Sequence, residues 1–182
     1  MNYHNITYPD QNNGDGLRIT LWCSGCSHRC YNCQNSQTWD INSGIQFDEF
    51  AETEMFEELS KDYISGITFS GGDPLHENNI NEILSLTKKI RRLFPSKTIW
   101  LYTGYTWEQI MYPVVTGDVN FERDKMIETR KNIINNVDVL IDGKYIDKLR
   151  DITLHWCGSS NQRVIDVQKT LSQNKIILYE DT

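Results

Sequence analysis

The chain of 182 residues lacks the features that would point to a membrane or a nucleic acid. It contains no run of about 18 apolar residues, so we expect no membrane-spanning helix. Its net charge is -7 and its pI is near 5.1, whereas nucleic-acid surfaces carry clustered Lys and Arg. The basic run at 88–92 lies late in a predicted helix, where cations suit the negative end of the dipole. We interpret it as a solvated face.

The sequence also lacks the signs of a disulfide-stabilised secreted protein. The number of cysteines is odd, and the chain opens Met1-Asn2-Tyr3-His4 without an apolar signal region. We therefore expect free thiols and a reducing, cytoplasmic setting. A chain of this length most simply forms one domain over residues 1–182, which can bury about two-thirds of its unfolded surface around one core.

Four of the five cysteines fall within the eleven residues 23–33. Several thiolates crowded on one short loop repel each other unless a metal or cluster takes up their charge. Cys23 ends an alternating run that places it on the apolar face of a strand, so we interpret it as a packed core thiol. Cys26, Cys30 and Cys33 remain, spaced C-x3-C-x2-C. Three such ligands can hold three irons of a four-iron cluster and leave the fourth iron open.

The spacing leaves a second interpretation open, a four-cysteine zinc site that also uses Cys23. C-x2-C pairs are common in zinc ribbons, although ribbons usually draw their two pairs from separate turns. A bacterial ferredoxin run has a different cysteine order followed by Pro, and this sequence has neither. The zinc interpretation predicts a non-catalytic binding module in which Cys23 is as necessary as Cys26.

Beyond the cysteines, predicted strands and helices alternate. Predicted helices cover 47–62, 78–94, 106–111 and 122–136, with a less regular segment at 113–121. Predicted strands cover 17–23, 66–70, 97–105 and 137–145, with one more after a polar loop at 158–162. Residues 1–16 are polar and turn-rich and are interpreted as a loop. The alternation implies βαβ units, right-handed crossovers and a mainly parallel sheet of the α/β class.

Three of these strands end in glycine beside a polar residue, at 71–73, 103–104 and 142–143. Two glycines at a strand end let a ligand approach the backbone closely, and Asp73 could accept hydrogen bonds from an ammonium group. The carboxyl ends of parallel strands gather at one edge, where active groups usually lie. Pattern alone leaves plain turns open as the alternative, and it does not separate an open doubly wound sheet from an incomplete barrel.

The segment 24–39, read with Gly-Gly-Asp-Pro-Leu at 71–75, resembles the radical S-adenosylmethionine (SAM) superfamily. More narrowly, it resembles the activators of anaerobic ribonucleoside-triphosphate reductases, and Gly-Ser-Ser-Asn-Gln at 158–162 extends the similarity over nearly the whole chain. The resemblance implies a shortened, open (βα) partial barrel. It also implies that Cys26, Cys30 and Cys33 hold a [4Fe-4S] cluster whose fourth iron is chelated by the amino and carboxylate groups of SAM.

The same resemblance implies where SAM is contacted. The implied positions are Asn32, Cys33, Gln34, Gly71, Gly72, Asp73 and Thr103. Asn32 departs from the wider superfamily, which commonly has an aromatic residue just before the third cysteine, so Tyr31 and Trp39 are the candidate platforms for the adenine. Cys157 is interpreted as a non-ligand, because the three-cysteine set is already complete.

The function implied by the resemblance is that of a glycyl-radical-enzyme activase. The reduced cluster would cleave SAM to methionine and a 5'-deoxyadenosyl radical, which removes a hydrogen from a glycine of the partner reductase. The implied partners are the large subunit of the anaerobic ribonucleoside-triphosphate reductase and a low-potential electron donor such as a flavodoxin. An activator of another glycyl-radical enzyme, such as pyruvate formate-lyase, is the alternative, against which the short chain and the 158–162 stretch both argue.

Overall fold

The computed structural model describes residues 1–114, 116–117 and 120–180. Its strands are β1 (Asn2–Asp10), β2 (Arg18–Cys23), β3 (Ile45–Gln46), β4 (Gly66–Gly71), β5 (Thr98–Tyr102), β6 (Val139–Asp142) and β7 (Arg163–Asp166). Its α-helices are α1 (Glu49–Leu59), α2 (Ile80–Leu93), α3 (Trp107–Met111), α4 (Phe121–Ile134) and α5 (Val167–Gln173). Within these described ranges the strands form one seven-stranded sheet in the order β3-β1-β2-β4-β5-β6-β7.

The centre of the sheet is parallel and its margins are antiparallel. Strands β2, β4, β5 and β6 run parallel, whereas β1, β3 and β7 pair antiparallel with their neighbours. The predicted α/β class with a mainly parallel sheet is thus confirmed for the centre, and the sheet is open, with β3 and β7 as its edges. Cys23 at the end of β2 lies beside Gly71 at the end of β4, so the cysteine loop and the glycine pair leave the same edge.

The interpretation of residues 1–16 as a loop is wrong for Asn2–Asp10, which form β1 and pair with β2, and is confirmed for residues 11–16. The register shifts between Tyr3 and Asn5 and again between Thr7 and Asp10. Each irregularity breaks the period of two by which a strand is predicted. The short β3 and helix α5 were not predicted either. The predicted irregular segment 113–121 overlaps the start of α4 at Phe121, and its residues 115, 118 and 119 lie outside the described part of the chain.

Alternate residues of the central strands enter two different cores. Ile99 and Leu101 of β5 join the large core beneath the helices, with residues such as Met55 of α1 and Ile83 of α2. Trp100 faces the other side, where it packs with Val139 and Ile141. Burial on both faces explains why the central strands are almost continuously apolar in sequence.

A buried arginine joins the amino ends of three parallel strands. Arg18 of β2 is fully buried and donates to Thr68 Oγ1 at 2.9 Å, the Ile67 carbonyl at 2.8 Å and the Thr98 carbonyl at 3.0 Å. Its guanidinium lies 5.2 Å from the Trp100 ring centroid. Burial lowers the pKa of Arg18 to about 10. This arrangement holds the end of the sheet opposite the cysteine loop.

The interpretation of the basic run at 88–92 as a solvated face is only partly correct, because two of its residues form ion pairs with other elements. Arg91 Nη2 lies 2.6 Å from Asp138 Oδ2, and Lys89 Nζ lies 2.7 Å from Glu52 Oε1. These pairs connect α2 to the start of β6 and to α1.

In the described ranges no helix is both long enough and apolar enough to span a bilayer.

Candidate metal and cofactor site

The cysteine loop leaves the carboxyl end of β2 and is held at its two ends by backbone hydrogen bonds. The Gly25 N–H donates to the Thr38 carbonyl at 2.7 Å, and the Cys26 N–H donates to the Trp39 carbonyl at 3.1 Å. Cys23 lies below this closure and is fully buried in the large core, so the prediction that it is a packed thiol is confirmed. Burial, reinforced by the Asp73 carboxylate, raises the pKa of Cys23 to about 12.

The loop presents its three other cysteines as half-buried free thiols. Asn32 adopts a left-handed backbone conformation with φ of 54°, which asparagine tolerates better than most residues. The Asn35 N–H donates to Cys33 Sγ at 3.4 Å. Amide hydrogen bonds to cysteine sulfur are among the contacts by which a protein tunes an iron–sulfur cluster. The three thiols, one of which accepts an amide hydrogen bond, therefore suit an iron–sulfur cluster whose remaining coordination positions are accessible.

The same loop fits a single metal ion less well. Among the described residues, no three His, Cys, Asp or Glu side chains form a group able to hold one ion. Ligands of one ion must converge on a single atom, whereas each cysteine of a cluster binds a different iron and the sulfurs stay farther apart. Three thiols on one loop are the number of ligands that a four-iron cluster with one open iron takes, whereas a structural zinc site takes four.

The surroundings of the cysteines raise the pKa values of their thiols, and binding of a cluster must overcome this effect. Burial, with a contribution from Asp73, raises the pKa of Cys26 to about 11. Burial and the neighbouring Cys33 raise the pKa of Cys30, while the Tyr145 backbone N–H and the Lys144 ammonium act in the opposite direction. Since a metal-bound cysteine is a thiolate, loading of the site releases protons.

The glycine pair is packed against the base of the cysteine loop. The Gly72 N–H donates to the Cys23 carbonyl at 2.7 Å, and the Asp73 N–H donates to the Gly25 carbonyl at 2.8 Å. Gly71 has φ of +95°, and a Cβ on Gly72 would lie 2.5 Å from the Gly25 carbonyl oxygen. In this structure, the group that approaches these glycines closely is therefore the backbone of the chain itself. Their contact with SAM stays a prediction.

Asp73 is buried and joins the ends of β4 and β5. Its carboxylate accepts from the Leu75 N–H at 2.8 Å, from Thr103 Oγ1 at 2.9 and 3.0 Å, and from the Gly104 N–H at 3.1 Å. The structure thus brings together Asp73, Thr103 and Gly104, which the sequence analysis placed at two neighbouring strand ends. The carboxylate already has several donors from its own chain.

His28 was missed by the sequence analysis. Its Nε2 lies 2.8 Å from Asp73 Oδ2, but off the N–H direction, so that within the described structure the buried nitrogen has no aligned hydrogen-bond partner. Its ring meets Tyr105 edge-on at 4.5 Å between centroids and fills the space beside Gly104 that a Cβ would occupy. The sequence showed a histidine between two candidate ligands, but no pattern connected it to Asp73.

The remaining predicted residues are distributed around the loop. Asn32 and Gln34 are exposed, and the Tyr31 side chain is 77% exposed. Trp39 is half-buried, its Nε1 has no partner among the described residues, and it lines a cleft of about 640 Å³ together with Cys26. Of the two candidate adenine platforms, Trp39 is the one that lines a cleft beside a candidate cluster ligand.

The end of β6, at 142–143, and Cys157 both make their contacts within the fold. Asp142 is buried and accepts from the Trp107 N–H at 2.7 Å and from Arg163 Nε at 3.0 Å. The Asp142 carboxylate is therefore occupied by hydrogen bonds within the fold. Cys157 packs against the core that contains Trp100. Burial raises the pKa of Cys157 to about 11.

Comparison with known proteins agrees with this site. A family model described as a 4Fe-4S single cluster domain matches residues 12–165. A protein of Escherichia coli (strain K12) is 39% identical over 90% of this chain and 97% of its own length. Proteins of Enterobacteria phage T4 and Haemophilus influenzae are 40% and 36% identical, over 90% and 89% of this chain and 93% and 96% of their own lengths. All three are named anaerobic ribonucleoside-triphosphate reductase-activating protein, and the chain belongs to that family.

Proposed function

We propose that this chain is a radical SAM oxidoreductase that activates the anaerobic (class III) ribonucleotide reductase. One electron cleaves SAM to methionine and a 5'-deoxyadenosyl radical, and that radical takes a hydrogen atom from a glycine of the reductase, giving 5'-deoxyadenosine and a glycyl radical. The observation that carries the proposal is the loop of three half-buried thiols, in a chain that matches a four-iron domain and the reductase activators.

Cys26, Cys30 and Cys33 would hold the [4Fe-4S] cluster. When bound, the cluster would supply a low-potential electron and an iron position open to SAM. Cys23 contributes packing beneath the loop and no ligand, in line with its complete burial.

The residues at the strand ends orient SAM and keep water away. The exposed Asn32 and Gln34 flank Cys33 on the loop, where their backbone borders the adenine. The Gly71-Gly72 backbone and Thr103 border the methionine part. Because Leu75, Thr103 and Gly104 already donate to Asp73, an ammonium group reaches this carboxylate where His28 now lies. Entry of an ammonium group therefore requires the His28 ring to give up its 2.8 Å contact with Asp73.

The open sheet suits a protein substrate. Strands β3 and β7 form its two edges in the described ranges, and we interpret the fold as a shortened, open (βα) partial barrel. A lateral opening lets the glycine loop of the reductase large subunit reach the site. A low-potential cytoplasmic donor such as a flavodoxin supplies the electron.

The test combines metal analysis with product analysis. Anaerobically prepared protein is assayed for iron, sulfide and zinc, reduced with dithionite in the presence of SAM, and assayed for 5'-deoxyadenosine. The proposal predicts about four irons per chain and SAM-dependent 5'-deoxyadenosine. One zinc, no iron after reconstitution and no SAM cleavage would instead support the zinc module.

The partner is tested separately by electron paramagnetic resonance of the glycyl radical. The activated protein is incubated with either the reductase or pyruvate formate-lyase. A glycyl radical on the reductase supports the proposal, and a radical only on pyruvate formate-lyase favours the alternative activase.

A further inference from the structure

A cleft of about 530 Å³ connects the first strand pair with the cysteine loop. Trp22 of β2 lines it, and since the next residue, Cys23, enters the large core beneath the helices, Trp22 faces the other side of the sheet. Gln34, the residue after Cys33, lines the same cleft. The remaining lining comes from β1 and the chain that follows it, namely Thr7, Pro9, Asp10, Gln11, Asn12 and Asn13. The cleft therefore borders the loop that carries the proposed cluster ligands.

The lining of this cleft is rich in amides that are free to bind. Gln11, Asn12 and Gln34 are exposed, and their side-chain amides have no hydrogen-bond partner among the described residues. The carboxylate of Asp10 is buried and accepts from the Asn12 N–H and from Asn13 Nδ2, both at 2.7 Å. No Lys or Arg of the described chain lines the cleft, so a phosphate group would find no cation there.

The Trp22 side chain is held in place. Its Nε1 donates to Thr7 Oγ1 at 2.8 Å across the β1–β2 pair. With its N–H occupied, Trp22 can offer the cleft only its apolar ring. Strand β1 also carries an extra residue between Thr7 and Asp10, and bulges of this kind often re-aim side chains beside active sites. The cleft thus combines one fixed apolar wall with several free amides.

These groups match a peptide backbone that contains glycine. An extended peptide presents N–H and C=O groups, and each Asn or Gln amide offers both a donor and an acceptor to them. Glycine has no Cβ, so its backbone can lie directly against an aromatic ring. The proposed reaction also requires the reductase glycine to lie next to SAM. Gln34 is the residue that the cleft shares with the predicted SAM contacts.

We propose that this cleft binds the backbone of the glycine-containing segment of the reductase. The glycine lies against the Trp22 ring, and the flanking peptide groups hydrogen-bond to Gln11 and Asn12. The inference rests on the proposed function, because it takes the protein substrate from it. It assigns to the polar stretch 10–13 a role in recognising that substrate.

The first test measures binding of a synthetic peptide containing the reductase glycine to the anaerobic, iron-loaded protein in the presence of SAM. Gln11→Ala and Asn12→Ala each remove one amide and should weaken peptide binding by about three- to tenfold, as expected for one hydrogen bond. Gln37→Ala is the matched control, because Gln37 is an exposed amide that lines the other cleft, beside Trp39. It should keep the parent affinity. Parent-like affinity in both Gln11→Ala and Asn12→Ala would overturn the inference.

A second measurement uses the whole reductase. A photo-crosslinking amino acid in place of Asn12 should attach to the reductase segment that contains the glycine, and the same amino acid in place of Gln37 should not. Mass spectrometry of the products identifies the attached segment. Attachment from position 37 and not from position 12 would overturn the inference, while a glycyl radical formed on the reductase would leave the proposed function standing. A parent protein that binds no four-iron cluster and cleaves no SAM would instead overturn the proposed function.

Discussion

Replacement of Asp73 by Asn tests whether this residue is primarily a structural connection between two strand ends. Asn keeps an oxygen for the Leu75 N–H, but its NH₂ then faces the Gly104 N–H, which now donates to the carboxylate at 3.1 Å. A lost hydrogen bond to a charged group costs about 1.5–3 kcal/mol, and an unpaired buried donor about 1–3 kcal/mol. These are two descriptions of one broken contact and are not summed. With the weakened Thr103 and His28 contacts, we expect Asp73→Asn to lose about 2–4 kcal/mol.

The assay is urea unfolding of the metal-free protein, so that no cofactor contributes to the result. With a slope of about 2 kcal/mol per molar urea, the midpoint of Asp73→Asn should fall by about 1–2 M at unchanged slope. Glu77→Gln removes a nearby exposed carboxylate and should unfold like the parent, within about 0.5 kcal/mol. If Asp73→Asn also unfolds like the parent, the carboxylate does not hold the strand ends together, and its contacts in the free protein do not stabilise the fold.

Three further predictions concern other parts of the molecule. Cys23→Ala should keep the parent iron content after anaerobic reconstitution, because this thiol packs in the core. Cys26→Ala should lose the iron. Equal loss of iron in both variants would favour the four-cysteine site. Arg18→Lys should lower the free energy of unfolding, measured in urea, by about 2–4 kcal/mol, because an ammonium cannot replace the hydrogen bonds of the buried guanidinium. An unfolding midpoint like that of the parent would contradict this prediction. The hydrogen bond from Arg163 lowers the pKa of Glu108 from 4.5 to about 2, so the pair stabilises the fold above pH 4.5 and this stabilisation is lost as pH falls toward 2. Glu108→Gln should therefore flatten the stability curve in that acid range only. The change should be small because the Glu108 side chain is 54% exposed, and an unchanged acid limb would contradict the prediction.

The parallel centre of the sheet could be predicted because each strand leaves a local pattern. Residues 17–23 alternate toward the large core, and β6 is almost continuously apolar because both of its faces are buried. Strand β1 could not be predicted in the same way, since its buried Tyr3 and Ile6 are three positions apart across a register shift. A period of two fails where a strand carries an extra residue relative to its partner, as β1 does at both register shifts, and the chain alone does not show where that happens.

The glycine pair shows why a site predicted from sequence still needs coordinates. A glycine marks a position where something approaches the backbone closely, and the pattern is the same whether that neighbour is a ligand or the chain. Here the neighbour of Gly72 is the Gly25 carbonyl, so the pair, the base of the cysteine loop and Asp73 form one hydrogen-bonded unit. Loss of activity on changing any member follows from a disturbed loop as readily as from a lost SAM contact. A residue of this unit is therefore assigned to SAM only if its variant weakens SAM binding while the metal-free protein keeps its stability.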